Sequence, residues 1–552
     1  MNDNDLLFDV QAVMQKIGNF FRNISMKKLY GFIALVTLLV TGYAMYFGLQ
    51  SFSLHSPSFR AFVIFICFIW GAPFLIKYKK DRMTYSAQRN EVPKGYLPSK
   101  IMLGVAVALL IVVLAFTIIT SPIFISDDYR DLVGMTETGT FEDNVESYEN
   151  MLIPIVDYSL AEKLGDKKLG EDNLGSQFTI DQYSMIYQNG DIYWVGALEY
   201  TGFFKWVNNK DSGSPGYIKI SATNPSDVQI VACDMQYIDS AYFGQDMSRK
   251  MYFSNVEKYI AYEYSFEIDD DGNPYYIKAV YENEFSFVNG LDAVGIITMN
   301  AQTGETDYYD MGDEPSWVDK VVPADTVLTQ LNYYGEYVHG FFNTLFAKKE
   351  IVTVTDGYNY IYSNDKFYLY TGLTSIGNDE SIVGVVLSDA KTKETTFYSI
   401  GGATEYAAKS SAEGMVQDLG YDATQPILIN YLGEPTYFLM LKDNEGLVKR
   451  YAYVNVREYQ NVGIGETIAQ AQVSYNKILS LTDSASDELT ISEIVAVVDD
   501  GTTYYYIKFA EEEYAGTTYI AHISTSSELP FIHAGDTVTV TLSQGMVVSI
   551  KE

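Results

Sequence analysis

Cysteine and histidine are scarce in this chain, which has 2 Cys and 4 His in 552 residues. Cys67 lies in an apolar run and Cys233 in the acidic remainder, so no disulfide can form within that remainder. This excludes a disulfide-stapled scaffold and a cysteine-rich metal site. HExxH, GxSxG and CxxC motifs are also absent, so zinc-protease, α/β-hydrolase and thiol-redox chemistry lack their usual residues. The sequence therefore predicts no catalytic residue, no cofactor-binding residue and no metal ligand.

Basic residues are few and unevenly placed. The first hundred residues hold 12 Lys+Arg and 5 Asp+Glu, which leaves 25 and 66 of the chain totals of 37 and 71 for residues 101–552. The balance is +7 in the head and −41 in the remainder. An acidic body of this size repels nucleic-acid phosphates, so a nucleic-acid partner is not expected.

Long apolar runs occur only near the start of the chain, at about Leu29–Leu49, Ala61–Ile76 and Ile101–Ile125. The first and third are long enough to cross a bilayer, and the second is shorter and contains Pro73. We predict three transmembrane helices rather than a cleavable signal peptide, because the first run begins late and two more follow.

The basic residues beside these runs predict the orientation in the membrane. They cluster before the first span and in the loop at 77–100, whereas the loop between the first two spans holds only Arg60. The N-terminus and the 77–100 loop should therefore be cytoplasmic, and the chain after about Ser126 extracytoplasmic. Asp5–Ile24 reads as an amphipathic helix, either on the cytoplasmic membrane surface or packed on the spans. No span carries an Asp, Glu, Lys or His in its middle, which favours anchoring over transport.

The acidic body is patterned as helices alternating with short antiparallel strands. Its first segment, Asp127–Lys168, has a helical stripe interrupted by Pro154, and Asn189-Gly190 is a strong hairpin signal. Helical stripes are also predicted over Ala324–Phe346 and Ile464–Leu481, each able to cover a sheet face.

Part of this pattern repeats along the chain. Gly295–Asp313 and Gly384–Gly402 agree at seven of nineteen positions without gaps, and Gly216–Val231 shares the opening glycine and Ala222. We interpret these as copies of a hairpin followed by a strand that ends in a polar turn.

The clearest copy is Ala403–Val456, which reads as one helix followed by a three-strand meander. Its strands are separated by Gly433-Glu434-Pro435 and Asp443–Gly446, and its helical stripe includes Met415 and Leu419.

This arrangement resembles PepSY and cystatin-like units. The resemblance rests on Ala407–Gly414, Pro435-Thr436-Tyr437, Tyr451–Val456 and the turn Asn300–Glu305. The whole chain also looks like a family of membrane-anchored surface proteins of Gram-positive bacteria. The likeness to PepSY implies a role in binding, and in restraining envelope proteases, with no residue assigned to it.

The last part of the chain has a different pattern, with five or six short strands and hardly any helix. Gly535-Asp536 before an alternating strand is common in small OB-like barrels. Because this module is acidic, a structural cap or protein contact is favoured over nucleic-acid binding. The predicted domains are a cytoplasmic helix (1–28), a three-span region (29–125), two α+β segments (126–315 and 316–484) and a small β-barrel (485–552).

The Glu267–Gly272 motif, His339 and the clustered aromatic residues are candidate sites. Glu267-x-Asp269-x-Asp271-Gly272 resembles half a calcium loop, but Lys278 occupies the twelfth position, which favours a solvated hairpin turn. His339 is interpreted as a hydrogen-bonded helix histidine. The aromatic residues are interpreted mainly as core side chains; they are Tyr193-Trp194, Phe203–Trp206, Trp317 and the run Tyr358–Tyr370. The sequence does not exclude catalysis by a Ser/Lys pair or by two carboxylates.

These features predict a non-catalytic, membrane-anchored binding or scaffold protein of the bacterial envelope, with an envelope protein as partner. Two alternatives are a glycan-binding or glycan-processing protein and an accessory subunit of a membrane complex. The glycan alternative predicts a cleft with exposed Trp or Tyr and two facing carboxylates.

Overall fold

The structure is a computed structural model that describes residues 25–75, 97–136, 140–148, 151–377, 381–483, 487–499, 502–511, 513–514, 516–543 and 546–551. The amphipathic helix predicted at Asp5–Ile24 and most of the 77–100 loop lie outside the described residues. The chain is a mixed α+β protein in which almost all strand pairs are antiparallel, as predicted.

The helices and strands follow the chain in this order. The α-helices are α1 (Met26–Phe47), α2 (Pro57–Pro73), α3 (Leu97–Ile119), α4 (Pro122–Asp131), α5 (Phe141–Asn144), α6 (Tyr158–Glu171), α7 (Phe203–Asn209), α8 (Met247–Ser254), α9 (Ala324–Glu336), α10 (Phe341–Leu345), α11 (Glu405–Gly414) and α12 (Ile468–Asp483). The strands before α9 are β1 (Phe178–Thr179), β2 (Ser184–Gln188), β3 (Asp191–Ala197), β4 (Glu199–Tyr200), β5 (Ser214–Ser221), β6 (Val228–Met235), β7 (Ser265–Ile268), β8 (Pro274–Phe285), β9 (Asn289–Asn300) and β10 (Thr306–Asp310). Those after α9 are β11 (Val352–Val354), β12 (Asn359–Ser363), β13 (Lys366–Ser375), β14 (Ser381–Asp389), β15 (Thr395–Tyr398), β16 (Gly402–Ala403), β17 (Asp422–Ala423), β18 (Ile427–Tyr431), β19 (Glu434–Lys442), β20 (Val448–Asn455), β21 (Val462–Gly465), β22 (Asp487–Asp499), β23 (Thr502–Phe509), β24 (Tyr519–His522), β25 (Thr537–Ser543) and β26 (Met546–Lys551).

The chain divides into two compact units. The first comprises Met1–Ser126, Gln236–Tyr264 and Tyr276–Asp310, and the second comprises Asp127–Met235, Ser265–Tyr275 and Met311–Glu552.

In the first unit, α1 and α3 are the two helices of the described residues that are long and apolar enough to cross a membrane. Of the three predicted transmembrane helices, the structure thus supports the first and third, whereas α2, the shorter second one, has only 17 residues. Helix α2 approaches α3 closely at Gly71, where an added Cβ would lie 3.0 Å from Leu103. Small residues at such crossings let helix backbones pack tightly.

The ends of these helices contact a small α+β lobe of the same unit, built from α8 and the antiparallel strands β8, β9 and β10. In the connection between α1 and α2, His55 Nδ1 accepts a hydrogen bond from the Asn283 backbone N–H (2.8 Å). At the end of α3, Asn289 Nδ2 donates to the carbonyls of Thr117 (3.2 Å) and Thr120 (3.1 Å). The α1–α2 connection and the chain that leaves α3 thus meet the same lobe.

In the second unit, three segments each place a helix before an antiparallel sheet. The helices are α6, α9 and α11, and the strand orders are β2-β3-β5-β6, β11-β13-β14-β15 and β17-β19-β20-β21. Short strands extend the last two sheets. In the second segment β12 pairs with β13 and β16 with β14, and in the third segment β18 pairs with β19. The helix-and-meander predicted for Ala403–Val456 is confirmed, and β21 adds a fourth strand to it.

Each of these sheets contains a two-residue hairpin of the same type. The turns are Asn189-Gly190, Asn364-Asp365 and Leu432-Gly433, and φ is positive at both residues of each turn. Such turns match the right-handed twist of the flanking strands. The hairpin predicted at Asn189-Gly190 is confirmed, whereas the turn predicted at Gly433–Pro435 lies one residue earlier, because Glu434 and Pro435 already belong to β19.

In each of the three segments, the residue that directly follows a strand accepts a backbone hydrogen bond from the chain just before the helix. The Ala222 carbonyl accepts the N–H groups of Ile155 (2.7 Å) and Val156 (2.9 Å), just before α6. The Ala390 carbonyl accepts those of Val321 (2.9 Å) and Val322 (3.0 Å), just before α9. In the third segment the Val456 carbonyl accepts the Ala403 N–H (2.7 Å), just before α11.

The two aligned stretches at 295–313 and 384–402 form turns with the same hydrogen bonds. Asn300 Oδ1 accepts the N–H groups of Gln302 (2.9 Å) and Thr303 (3.0 Å). At positions 89 residues later, Asp389 Oδ1 accepts those of Lys391 (2.8 Å) and Thr392 (3.1 Å). A short Asn or Asp side chain can satisfy these N–H groups, which is why the turn recurs with either residue.

The segment predicted as a helix at Asp127–Lys168 is different in the structure. Among the described residues of this segment, helix is found only in α4, α5 and α6, and those between α5 and α6 lie along the ends of strands. Tyr148 N–H donates to the Asn430 carbonyl (2.9 Å), and Asn430 Nδ2 donates to the Val145 carbonyl (2.8 Å). Phe141 and Val145 are buried, so the apolar spacing predicted burial correctly. The helix ends at Asn144, however, and does not continue along the stripe.

Three smaller helix predictions also need correction. The stripe at Ala324–Phe346 is broken at Gly340, whose φ of 77° is left-handed, so α9 and α10 are separate helices. Ile464 belongs to β21 rather than to α12. Met415 and Leu419 are 62% and 48% exposed, because α11 ends at Gly414 and the stripe does not continue.

The described residues of the C-terminal module form five strands. They pair around a closed circuit in the order β22-β23-β24-β26-β25, and the β24–β26 pair is parallel. Side chains such as Ile491, Ile507 and Val540 fill its interior.

Candidate binding cleft and buried charge cluster

A cleft of about 300 Å³ opens in the second unit, where parts of all three segments meet. It is bounded by the start of α6, strand β3, the approach to β12 and the end of β19. The residues that line it are Pro154, Val156, Asp157, Tyr158, Ser159, Met185, Trp194, Tyr358, Asn359, Gln425, Ile427 and Met440.

One ion pair lies at the edge of this cleft. Asp157 is the N-cap of α6, and its Oδ1 accepts the Leu160 N–H (3.0 Å). Lys442, the last residue of β19, is buried and donates from Nζ to the same carboxylate and to Ser159 Oγ (2.7 Å). The carboxylate thus contacts both the N-terminus of α6 and the side-chain nitrogen of Lys442.

The contact between Ser159 and Lys442 bears on Ser/Lys chemistry, which the sequence left open. A serine nucleophile needs a neutral base beside its hydroxyl. Here Lys442 Nζ contacts the Asp157 carboxylate as well as Ser159, and the Ser159 hydroxyl also donates to Asp157 Oδ1 (3.3 Å). The arrangement suits an ordered polar edge better than a nucleophile and its base.

Aromatic side chains form another part of the wall. Trp194 Nε1 donates to the Val156 carbonyl (2.7 Å), which fixes the indole across the cleft. Tyr158 packs edge-on against Trp194 with ring centroids 5.7 Å apart, and Tyr358 is 42% exposed. Trp194 was interpreted from the sequence as mainly core, and in the structure it is half-buried and faces the cleft.

A second group of charged side chains consists of Glu267, Asp319 and Lys320, which interact with one another. Glu267, on β7, is 1% exposed; its Oε2 accepts the Asp319 N–H (2.7 Å) and its Oε1 accepts the Ser265 hydroxyl (3.0 Å). Asp319 Oδ2 accepts the Tyr187 N–H (2.7 Å). The ammonium of Lys320 lies 4.4 Å from the centre of the Tyr360 ring.

Burial governs protonation in this cluster. Loss of solvent and the neighbouring Glu267 raise the pKa of Asp319 to about 8. Burial also raises the pKa of Glu267 and lowers that of Lys320. Removal from water penalises the charged form of each group, which explains both directions.

The predicted turn at Asp269–Asp271 is a turn in the structure. Asp269 Oδ1 accepts the N–H groups of Asp271 (3.0 Å) and Asn273 (2.8 Å), while Glu267 points into the buried cluster. The acidic side chains therefore do not converge as calcium ligands would. Within the described residues, no group of three or more His, Cys, Asp or Glu side chains is placed to hold a metal ion.

His339 lies in the break between α9 and α10 and not on a helix. Its Nε2 is 2.7 Å from Glu350 Oε2, and both side chains are well exposed. The prediction of a hydrogen-bonded histidine is confirmed, whereas its placement on a helix is wrong.

Sequence reasoning did not single out Asp157, Ser159 or Lys442. Asp157 and Lys442 are 285 residues apart, and only the fold brings them together. A lysine that ends the apolar strand TYFLMLK is the one local signal, because a lysine buried at such a position needs an anionic partner.

No protein-family model matches the chain, and no curated protein is similar to it. Among solved structures, an exo-1,5-α-L-arabinanase from a bovine ruminal metagenomic library is 11% identical, with 63% of this chain and 94% of that chain covered and a TM-score of 0.16. A variant of B. megaterium levansucrase is 8% identical, with 77% and 94% covered and a TM-score of 0.16. Likenesses at this TM-score carry no argument about fold or function.

Proposed function

We propose that this chain is a membrane-anchored binding or scaffold protein of the bacterial cell envelope, that it is not an enzyme, and that its cleft binds a segment of a partner protein. The observation that carries the proposal is the chemistry of the cleft wall. Apolar side chains dominate it, two side-chain amides (Asn359 and Gln425) add polar contacts, and its carboxylate already has a lysine partner.

Anchoring is supported by the surfaces of α1 and α3. Leu38, Leu39 and Tyr43 on α1, and Ile111 and Ile119 on α3, are each at least 60% exposed. Apolar surface of this extent is stable in lipid and costly in water. Helix α2 has 17 residues and a length of about 25 Å, so we keep it in the proposal as a short third span.

The orientation predicted from the basic residues is part of the proposal. The α1–α2 connection and the end of α3 both contact the lobe of α8 and β8–β10. This supports placing that connection and the chain after about Ser126 on one side of the membrane, which the charge distribution predicts to be the extracytoplasmic side.

We propose further that the three segments are degenerate copies of a PepSY-like unit and that the C-terminal module is an OB-like cap. The shared turn conformations and strand-end hydrogen bonds support the first idea. The strand circuit with its single parallel pair supports the second.

Glycan processing is less well supported than protein binding. A glycosidase places two carboxyl groups on opposite sides of the scissile bond. Among the described residues that line the cleft, Asp157 is the only carboxylate, and it caps a helix and pairs with Lys442.

The binding proposal can be tested with a photo-crosslinking phenylalanine at position 358 of the full chain in living cells. We expect a discrete protein adduct that disappears when Trp194→Ala alters the cleft wall. The same crosslinker at position 415, which is exposed on the end of α11, serves as the matched control. Equal adducts at both positions, or none at position 358, would contradict the proposal.

A further inference from the structure

Three large apolar side chains are exposed on α10, a short helix of the second unit, and on the residue that directly follows it. Phe342, Leu345 and Phe346 are 62%, 57% and 80% exposed, and the rings of Phe342 and Phe346 stack with centroids 6.4 Å apart. We call these three residues the α10 patch. They form a continuous apolar surface on a part of the chain that is otherwise strongly acidic.

The α10 patch is held in place by the loop that follows it. Asn343 is buried, and its side chain accepts the Lys349 N–H (3.0 Å) and donates to the Lys349 carbonyl (2.9 Å). The Lys348 N–H donates to the Asn343 carbonyl (2.7 Å), with Lys348 at a left-handed φ of 50°. A non-glycine residue adopts this conformation at an energetic cost, which the hydrogen bonds of the loop offset. The loop therefore holds the α10 patch in a defined orientation.

Two lysines lie directly beside the α10 patch. Lys348 and Lys349 are both exposed, while Glu350 interacts with His339 (2.7 Å) and Lys349 (3.4 Å). Residues 101–552 carry a balance of −41, from 25 basic and 66 acidic residues, so a lysine pair next to exposed aromatics departs from its surroundings. Aromatic rings beside lysines are typical of segments that sit at a membrane–water interface.

The chain also limits how far α10 can be from lipid. Tyr129 lies ten residues after Ile119, the end of α3, and it packs edge-on against Tyr333 (5.1 Å) and Tyr337 (6.1 Å). Ten residues span at most about 35 Å when fully extended, so Tyr129 lies within that distance of the end of α3. Helix α10 begins four residues after Tyr337.

We propose that the α10 patch inserts into the lipid–water interface of the membrane that α1 and α3 cross, with Lys348 and Lys349 at anionic headgroups. This rests on the membrane anchorage in the proposed function and adds a second, peripheral contact. The apolar residues enter the acyl boundary, and the lysines gain from the negative surface potential.

Site-directed spin labelling of the full chain in lipid nanodiscs tests this. With Cys67 and Cys233 replaced, a nitroxide is attached to Phe346→Cys, to Ile111→Cys on α3 or to the exposed control Met415→Cys. Collisions with oxygen report lipid, and collisions with a water-soluble nickel chelate report water. We expect position 346 to resemble position 111, with strong oxygen and weak nickel collisions, and position 415 to show the reverse.

The charge contribution is tested in the same nanodiscs. Lys348→Glu together with Lys349→Glu should increase nickel access at position 346, as should omission of phosphatidylglycerol from a phosphatidylcholine mixture. Each lysine is expected to change the inserted-to-free ratio about fivefold. No response to either change would overturn the role given to the lysines.

Two results would overturn the insertion itself while position 111 reads as lipid. Strong nickel collisions at position 346 would place the α10 patch in water. Weak collisions with both reagents would place it in a protein contact. If position 111 itself reads as water, the anchorage in the proposed function fails as well, so the two failures are distinguishable.

Discussion

The cleft and the buried charge cluster use the same residue types in opposite ways. At the cleft, Lys442 meets one carboxylate, Asp157, which keeps contact with solvent. In the cluster, Glu267 and Asp319 interact with Lys320 and Lys391, and burial perturbs the pKa values of Glu267, Asp319 and Lys320. An ion pair at the edge of a cleft can form new polar contacts with a ligand. The buried cluster makes stability depend on protonation instead.

Removing the lysine from the cluster should have the largest effect. Lys320→Met removes a cation that interacts with Glu267 and Asp319, and we expect the free energy of unfolding to fall by about 3–5 kcal/mol. Urea unfolding of the detergent-solubilised chain, followed by tryptophan fluorescence, measures the loss. Lys449→Met is the control: it removes an exposed pair with Asp443 (3.2 Å) and should cost less than about 1 kcal/mol. Equal losses of unfolding free energy in the two variants would show that Lys320 in the buried cluster stabilises the fold no more than an exposed lysine does.

The pH dependence of stability should separate the two carboxylate environments. The pKa of Asp319 is raised to about 8 from an ordinary value of about 4, so between these pH values the folded chain holds a proton that the unfolded chain releases. Stability contributed by Asp319 is therefore complete below pH about 4 and decreases as the pH rises towards 8, by at most about 1.4 kcal/mol per pH unit. Asp319→Asn should flatten this decline when unfolding is measured from pH 5 to 8.

A matched control exists at the surface. The pKa of Asp443 is lowered, chiefly by the hydrogen bond from the Leu447 backbone, so its contribution has the opposite sign and is lost as the pH falls. Asp443→Asn should leave the decline between pH 5 and 8 in place. If the free energy of unfolding of Asp319→Asn still decreases between pH 5 and 8, the decrease is caused by groups other than Asp319.

The smallest effect is expected at the cleft edge. Ser159→Ala removes one hydrogen bond to Lys442, and the free energy of unfolding should change by less than about 1 kcal/mol. A fluorophosphonate probe, which labels serine nucleophiles, should not react with Ser159 in the full chain. Labelling that is present in the parent chain and lost in Ser159→Ala would contradict the non-catalytic assignment and bring the Ser159–Lys442 contact back as a reactive pair.

Local signals in the sequence predicted much of the second unit. Asn189-Gly190 marked a hairpin, and the alternation in Ala403–Val456 predicted the helix and its meander. The same reasoning failed for the described residues between α5 and α6, because apolar spacing indicates that residues are buried and does not distinguish a helix from an extended segment along strand ends. The backbone of this segment pairs with the edges of distant strands, which no local pattern reveals.

The charged sites were less accessible to sequence reasoning for a related reason. Glu267 was seen as part of a turn, yet its side chain leaves the turn and receives the Asp319 N–H. With 66 acidic residues beyond position 100, pairing by sequence alone has too many combinations. Only the fold selects which carboxylate meets which lysine.

The strand-end carbonyls have a mechanical consequence. Because Ala222 receives the N–H groups of Ile155 and Val156, the chain enters the first segment beside the end of its third strand. The Ala390 carbonyl has the same arrangement in the second segment. If a bound partner pulls on an anchored chain, the force passes through these short clamps before it reaches the hairpins. The segments would then unfold one at a time under load. Each sheet would stay intact until the hydrogen bonds to the Ala222 or Ala390 carbonyl of its segment break.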